Sequence, residues 1–536
     1  MNKNSIIVVG SGATALSFLY SLLANAAHRT VCPYQSIYVI EKRRFKGRGL
    51  AYDLDLDTNL LNTRAGFITP FADKPGHFFD WLIANRSTWQ DEFPDLDVSA
   101  DTFVPRPLFG LYLEYMMSDL AGQFAAIGME LVQMRGEAVE IHRPALGRSQ
   151  VKTDGGLSIE ADHIVLCCGN LQSREYRSLA TNPGFFTSPY PIRNLARAAA
   201  GKSSVAILGA RLSAVDVALG LAASGFKGQM VMFSRSGYFP SVRGTQGRYA
   251  ASILTLSRLR EHHDRHGHLR LSQVLEWTMQ ELALAGSPVN PLDQLPPAPP
   301  EDVAAYLESE IQAARGERLW QAVLYATNTV IDYLWQILHE EDRILFMRHY
   351  AAAWMSYRVS IPVENACRLL DLARSGQLTF RRGAAVASAH PEGGFTVGTQ
   401  DDGSSDGGAP FDMVVGAFGT PRNASLLDSH LIQSLLSSGL ADAHPHGGLV
   451  VDAQTGALID KTGTPATDIS VLGELTSGVH FFTSVLEINA RHAARLANRI
   501  VQTPLATSAG PKPAALDRAA ALAAAFPLHQ PSAQLQ

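Results

Sequence analysis

Three sets of residues in this chain have the types and spacing to hold nucleotides. The first is Gly10-Ser11-Gly12-Ala13-Thr14-Ala15, which follows the apolar run Ile6-Ile7-Val8-Val9. Leu16, Phe18, Leu19, Leu22 and Leu23 then recur at helical spacing. A buried strand that turns through Gly-x-Gly-x-x-Ala into a helix is a dinucleotide-binding unit. Gly10 allows the tight turn, and Gly12 lets the backbone approach a pyrophosphate. Ala13 opens the helix, and Ala15 is small enough for the helix to pack closely on the strand. The free N–H groups and positive dipole end of that helix face the phosphates. Residues 36–41 form the next strand, and its terminal Glu41 is placed to accept the ribose hydroxyls of an adenosine. Glu41 lies farther from the glycines than usual, and a loop insertion at residues 26–34 accounts for the excess.

The second set is Gly209-Ala210-Arg211-Leu212-Ser213, again between an apolar strand (204–208) and an apolar helix. The following strand, 230–234, ends in Arg235 rather than an acid, and an Arg there pairs with a 2′-phosphate, which points to NADPH. Arg211 stands where the second glycine belongs. Its side chain crowds the pyrophosphate, so nicotinamide binding and its loss both stay open. The third set is C-terminal: Gly473-Glu474 ends an apolar strand, and Thr483 precedes a helix. In many FAD proteins a Gly-Asp at this place sets its carboxylate on the ribityl chain, and Glu474 would stand in for the Asp.

Between these sets lie further candidates. Lys42, Arg43 and Arg44 read as a solvated turn, whereas Gly47-Arg48-Gly49 flanks a guanidinium with two glycines and suits a cofactor phosphate. Residues 59–67 mix apolar and polar positions and suit a segment against a flavin ring. Asn62 and Thr63 would offer hydrogen bonds there and Arg64 a positive charge; a buried loop with satisfied polar groups fits equally well. An apolar strand ends at Cys167-Cys168-Gly169, where the chain crosses away from the first unit, and a matching crossing occurs at Gly419.

These sets need elements to position them. The 536 residues suffice for two or three domains, and 46% hydrophobic content supports well-packed cores. A formal net charge of −5 gives no case for nucleic acid or an anionic membrane surface. Cys32, Cys167, Cys168 and Cys367 lack metal or redox C-x-x-C spacing, so reduced thiols and no metal are expected. With no signal-peptide pattern and no apolar run of about 18 residues, a cytoplasmic protein is the expectation. No Ser/His/Asp set or carboxylate pair suggests hydrolysis.

The order Gly-x-Gly-x-x-Ala, Gly47-Arg-Gly-Leu-Ala-Tyr52, Leu60-Leu-Asn62, His77-Phe-Phe-Asp-Trp81 and Phe103-Val-Pro-Arg-Pro-Leu-Phe-Gly-Leu-Tyr-Leu113 resembles the FAD/NAD(P)-binding YdhS-like oxidoreductases. That family is distantly similar to the flavin N-hydroxylases of lysine and ornithine. The resemblance implies an α/β fold with two interrupted Rossmann-like domains and a helical insertion. The expected division is an FAD domain over 1–195 and 426–502, an NAD(P) domain over 196–245 and 371–425, an insertion over 246–370, and a flexible tail over 503–536. Residues 346–350, with Trp354, Arg358 and Pro362, again resemble the family, and His349 and Arg358 are candidates to line a substrate pocket. Phe481-Phe482 and Asn489 replace the family's aromatic-acid pair and Arg, which suggests a specialised substrate edge.

The implied function is an FAD-dependent, NADPH-using monooxygenase. Reduced flavin would react with oxygen to a hydroperoxide that hydroxylates the nitrogen of an amino acid or small amine in secondary metabolism, while the protein positions substrate and excludes water. Asn62, Arg64, His349 and Arg358 are the candidates for work beside the reacting atoms. Arg211 motivates a rival, an oxidase or dehydrogenase that takes electrons from its substrate without nicotinamide. A flavin-stabilised binding protein is the non-enzymatic alternative.

Overall fold

The computed structural model describes residues 4–28, 32–44, 47–144, 147–288, 298–400 and 408–502. The tail expected to be flexible (503–536), most of the Gly/Ser/Asp-rich stretch after residue 400 and most of the proline-rich stretch near residue 290 lie outside them.

Two parallel sheets organise the chain. Its strands are β1 (Ser5–Val9), β2 (Ser36–Glu41), β3 (Glu130–Arg135), β4 (Ala138–His142), β5 (Ser149–Thr153), β6 (Ser158–Ala161), β7 (His163–Leu166), β8 (Phe185–Phe186) and β9 (Ser204–Leu208). They continue as β10 (Gln229–Ser234), β11 (Leu378–Arg382), β12 (Ala385–Ala389), β13 (Phe395–Thr399), β14 (Ala409–Phe411), β15 (Met413–Gly416), β16 (Ala457–Ile459) and β17 (Pro465–Val471). The first sheet runs β16-β17-β7-β1-β2-β3 and is parallel except for β16. The second runs β11-β10-β9-β15-β8, all parallel. Near-continuous apolar strands such as Ile6-Ile7-Val8-Val9, all buried, are what a sheet covered on both faces requires.

The two halves repeat one plan. A three-stranded antiparallel meander, β4-β5-β6, precedes the crossing strand β7, and β12-β13-β14 precedes β15 in the same way. Each crossing strand pairs with the strand that carries a glycine turn: β7 with β1, and β15 with β9. The helix Ala13–Ala27 is covered by the C-terminal helix Leu486–Gln502 and by Arg106–Ala126, which starts on Pro105-Arg106-Pro107. Between β10 and β11 comes the expected helical segment, including Leu256–His266, Leu271–Leu284, Val303–Ala314, Leu319–Ala326, Ile331–Ile337 and Ala351–Arg358.

All four cysteines carry free thiols. Burial pushes the Cys167 thiol well up and that of Cys168 up to about 12, so neither is poised for redox work. No helix among the described residues is long and apolar enough to cross a membrane.

His163 in β7 is buried and its Nε2 lies 3.1 Å from Ser470 Oγ in β17. Burial, reinforced by Arg499, lowers its pKa to about 3. Burial likewise lowers His77, His480, His492 and His444, the last to about 4. The unfolded chain binds protons first, at the ordinary histidine pKa of about 6.5, so this stability is complete above that pH and is lost as pH falls toward the folded values. His163 alone should cost about 2 kcal/mol between pH 7.5 and 5. Urea midpoints should fall steeply over that interval, and His163→Gln should flatten the dependence by about that amount.

Candidate cofactor and substrate site

The first glycine turn is built by close approach. Gly10 has φ +95°, and a Cβ there would lie 2.3 Å from the Cys167 carbonyl oxygen, so the crossing strand closes on the turn only because the residue is glycine. Gly12 is different: a Cβ there would meet only Gly49 Cα, at 3.6 Å. Gly12 and Gly49 thus leave a strip of bare backbone beside the N-terminus of Ala13–Ala27, which no side chain caps. Ala15 is fully buried, as close packing on the strand requires. Gly47 donates its N–H to Ser11 O at 2.8 Å and ties the basic loop to the turn. Gly473 (φ +78°) approaches from the other side, where a Cβ would sit 3.5 Å from Thr14 Oγ1. Gly169 (φ +68°) borders open space at the end of β7. Bare glycines around an uncapped helix N-terminus fit the phosphates of FAD.

Two predicted contacts have other partners. Glu41 Oε2 accepts from Ser11 N at 3.0 Å and Ser11 Oγ at 3.1 Å, while Oε1 accepts from Arg43 N at 3.0 Å, so the carboxylate braces the turn. Arg48 is buried and its Nε donates to Glu114 Oε2 at 2.6 Å.

The second turn repeats the first. Gly209 has φ +141°, and a Cβ there would lie 2.4 Å from the Ala417 carbonyl oxygen. Arg211 is the N-terminal flanking residue of helix Leu212–Ala223, in extended backbone that any residue adopts. Its Nη2 donates to Ala352 O at 3.4 Å, which draws the side chain toward the helical segment. Burial and nearby Arg235 lower its pKa. Arg235 is exposed just past β10, and Arg382 is exposed at the register position opposite Ser234. These guanidiniums give the adenosine end a cationic character that suits a 2′-phosphate. Ser213 instead takes part in a seam between the units. Tyr190 Oη donates to Asp216 Oδ2 at 2.6 Å, with Ser213 Oγ 3.4 Å away, and Arg106 Nη1 is 2.7 Å from the same carboxylate.

The candidate substrate edge is aromatic and cationic. At His480-Phe481-Phe482 the chain makes a γ-turn, with Phe481 at φ +61°, ψ −64° and Phe482 N donating to His480 O at 2.8 Å. Such a conformation is strained for a bulky residue, by roughly 1–3 kcal/mol. Packing holds it: the Phe481 ring stacks on Trp335 at 4.6 Å and meets Trp354 at 5.0 Å and Phe346 at 5.5 Å. Phe346 opens a π-helical turn, Phe346–Tyr350, a second irregularity against the same rings. His349 lies on that turn but is exposed, outside the aromatic cluster. Arg358 is buried, its guanidinium 4.4 Å from the Tyr325 ring centre and 4.9 Å from that of Phe482.

In the segment expected to lie against the flavin, Asn62 is half-buried and its amide makes no hydrogen bond with the described residues. Arg64 is buried and bonds to Asp101 Oδ1 at 3.2 Å, Gln246 O at 3.2 Å and Gly244 O at 2.6 Å, so it ties this segment to the start of the helical insertion. Glu474 is half-buried and accepts from Thr483 Oγ1 at 3.1 Å. Burial raises its pKa, against the opposing effects of the Thr483 hydrogen bond and Arg422.

Tyr325, Asn328 and the γ-turn carried no sequence signal, because ring contacts and backbone outliers arise from tertiary packing. Asp332, His480 and His492 also converge, with ligand-type atoms within 4.8 Å of one another. Asp332 Oδ2 pairs with His492 Nε2 at 2.8 Å and Arg495 Nη2 at 3.4 Å, and Arg491 Nη2 lies 3.7 Å from Oδ1. These hydrogen bonds and charges hold its carboxyl well below the usual range against the opposing effect of burial. With two guanidiniums on one carboxylate the cluster already has excess positive charge, and it acts as a clamp between helix Ile331–Ile337 and the C-terminal helix.

Residues 7–171 match the model of a family described as FAD-NAD(P)-binding. No curated protein matches the sequence. Among solved structures, the chain is similar to the reduced form of ornithine hydroxylase from Pseudomonas aeruginosa, at 15% identity and a TM-score of 0.54 over 94% of this chain and 99% of that one. It is similar also to the Kutzneria ornithine N-hydroxylase bearing reduced FAD, NADP+ and L-ornithine (16%, TM-score 0.52, 93% and 99%). L-lysine 6-monooxygenase from Pseudomonas syringae gives 14%, 0.55, 93% and 99%. The α/β arrangement with two Rossmann-like units is therefore shown, and the distant similarity to N-hydroxylating flavin enzymes holds at the level of fold.

The two glycines of the first turn should separate by experiment. Gly12→Val should leave the circular dichroism spectrum unchanged and lower bound FAD at least tenfold, because its side chain enters the phosphate strip. Gly10→Ala, which meets backbone, should lower the melting temperature as well.

Proposed function

We propose that this chain is an FAD-dependent, NADPH-using monooxygenase that hydroxylates the nitrogen of an amino acid or small amine. The observation that carries the reading is the repeated glycine turn. Two units of one plan, tied through Arg106 and Asp216, adjoin a closed aromatic and arginine-lined edge built by a helical insertion. The near full-length likeness to ornithine and lysine hydroxylases supports it.

FAD would supply the ring that takes two electrons from NADPH and passes them to oxygen. In the overall reaction the amine N–H becomes N–OH with one oxygen atom. The other oxygen atom leaves as water with the two electrons from NADPH and two protons. The chain's own residues bind and shield. Gly12, Ala13 and Gly49 border the FAD phosphates, Glu474 and Thr483 sit at the ribityl side, and Asn62 offers an unengaged amide. Gly47, Arg48, Gly169 and Glu41 frame that turn. Gly209 and Arg235 belong to the NADPH side, where Arg235 takes the 2′-phosphate. Trp335, Trp354, Phe481 and Phe482 exclude water from the substrate edge. In this reading residues 1–195 and 426–502 form the FAD domain, 196–245 and 371–425 the NADPH domain, and 246–370 the insertion.

Arg211 favours a second reading, an oxidase or dehydrogenase without nicotinamide, because a guanidinium stands where a glycine admits the pyrophosphate. An anaerobic spectrum decides between them. The purified protein should be yellow, bleach with NADPH and regain colour in air; bleaching by substrate alone, with NADPH inert, would select the second reading. Arg235→Gln should raise the KM for NADPH about tenfold, the loss of one charge-assisted contact, and leave the KM for NADH unchanged.

A further inference from the structure

The substrate edge carries more positive charge than its own residues answer. Arg358 is 5% exposed, its Nη2 donates to Asn328 Oδ1, and its Nε is buried without a hydrogen-bond partner. Arg243 Nε is buried without a partner as well, and its guanidinium lies 3.8 Å from the Tyr325 ring centre, against the 4.4 Å of Arg358. Among the described residues neither arginine has a carboxylate within 4 Å. The third cation is Arg64, electrostatically coupled to Arg243 and reaching in from the segment that holds Asn62. The acids nearby are Glu487, which is held at 3.1 Å by the Asn328 amide, and Asp101, which is largely exposed. Burial and Arg243 together lower the Arg358 pKa to about 10, as expected of like charges gathered out of water.

A buried guanidinium without a counter-ion is costly unless a ligand supplies one. The planar fork of Arg matches a carboxylate with two parallel hydrogen bonds, and a lysine would not. Resting on the monooxygenase reading, we infer that the amine substrate of this site is a dicarboxylic amino acid, whose carboxylates are bound by Arg358 and Arg243 around Tyr325 and Phe482. Glu487, held by the Asn328 amide and electrostatically coupled to Arg358, is the acid suited to the ammonium group. A substrate with a second cationic amine, such as ornithine, lysine or cadaverine, meets two guanidiniums there and is repelled.

Two measurements test this, and they fail separately from the monooxygenase reading. Calorimetric titration of the FAD-loaded protein with succinate, which has no amine to oxidise, reads the anion site alone. Succinate should bind, cadaverine should not, and Arg358→Met should weaken succinate at least tenfold. Because Arg358 is buried and its loss could unfold the site, Arg243→Gln provides a second variant with the same expectation. Steady-state hydroxylamine formation with aspartate and glutamate should exceed that with ornithine, lysine and cadaverine by at least tenfold in kcat/KM. Arg358→Lys should raise KM for the acidic substrate more than it lowers kcat. Preference for ornithine or lysine, or succinate binding unchanged in both variants, would overturn the inference even if NADPH bleaches the flavin. Succinate binding lost in both variants would uphold the anion site even in a protein that NADPH does not reduce.

Discussion

Everything in this molecule depends on two places where one backbone touches another with no side chain between them. At Gly10 the carbonyl of Cys167 takes the space a Cβ would occupy, and at Gly209 the carbonyl of Ala417 does the same. In each case the crossing strand returns beside the strand that bears the turn, and the turn is held from behind. The positive φ of both glycines follows from that contact. A helix then starts with unused N–H groups pointing along the cleft at the carboxyl ends of the strands, where doubly wound sheets bind ligands. The phosphate-binding property is thus a by-product of how the sheet closes, and it recurs in both halves because the meander and crossing strand recur.

Two such units could adopt many relative placements, and one buried polar seam selects among them. Arg106, at the start of helix Arg106–Ala126, reaches Asp216 in the second unit's helix, and Tyr190 donates to the same carboxylate. Asp55 receives the backbone N–H groups of Ile192 and Arg193 at 2.7 and 2.9 Å. A buried ion pair adds little net stability over a well-packed apolar contact, but removing one partner leaves an uncompensated charge and costs roughly 3–5 kcal/mol. Its value here is geometric: a sliding of the units by even a few ångströms strands Arg106. Arg64, bonded to Gly244 and Gln246, fixes the helical insertion to the first unit by the same logic.

The sequence made the sheets legible because each strand is a short apolar run followed by glycine, and that grammar depends only on local residues. Gly10, Gly12, Gly209 and the acid at Glu41 could be found for the same reason. What could not be read was which polar groups would face a ligand and which would be taken up by the protein. Arg48 reads as a phosphate contact until Glu114, 66 residues away, is seen to hold it. Ser213 reads as part of a nucleotide turn until the Tyr190 hydroxyl, 23 residues earlier, is seen beside it in a buried seam. His349 sits in a segment that resembles a pocket wall, yet the π-helical turn leaves it on the surface, while Arg358, nine residues later in the same segment, is buried. A π-helical turn shifts the facing of every residue after it, and no residue pattern in Phe346-Met347-Arg348-His349-Tyr350 announces it.

The insertion is the feature that gives this fold its own chemistry. It contributes Trp335, Trp354, Tyr325 and Arg358 to an edge whose other wall, Phe481 and Phe482, belongs to the C-terminal part. The wall is strained at Phe481, and the strain persists because three aromatic rings and the Asp332–His492 pair fix both sides of it. The aromatic wall is thus fixed by packing, whereas Arg358 and Arg243 lack carboxylate partners, so in the inferred binding mode a ligand's negative charge completes the edge.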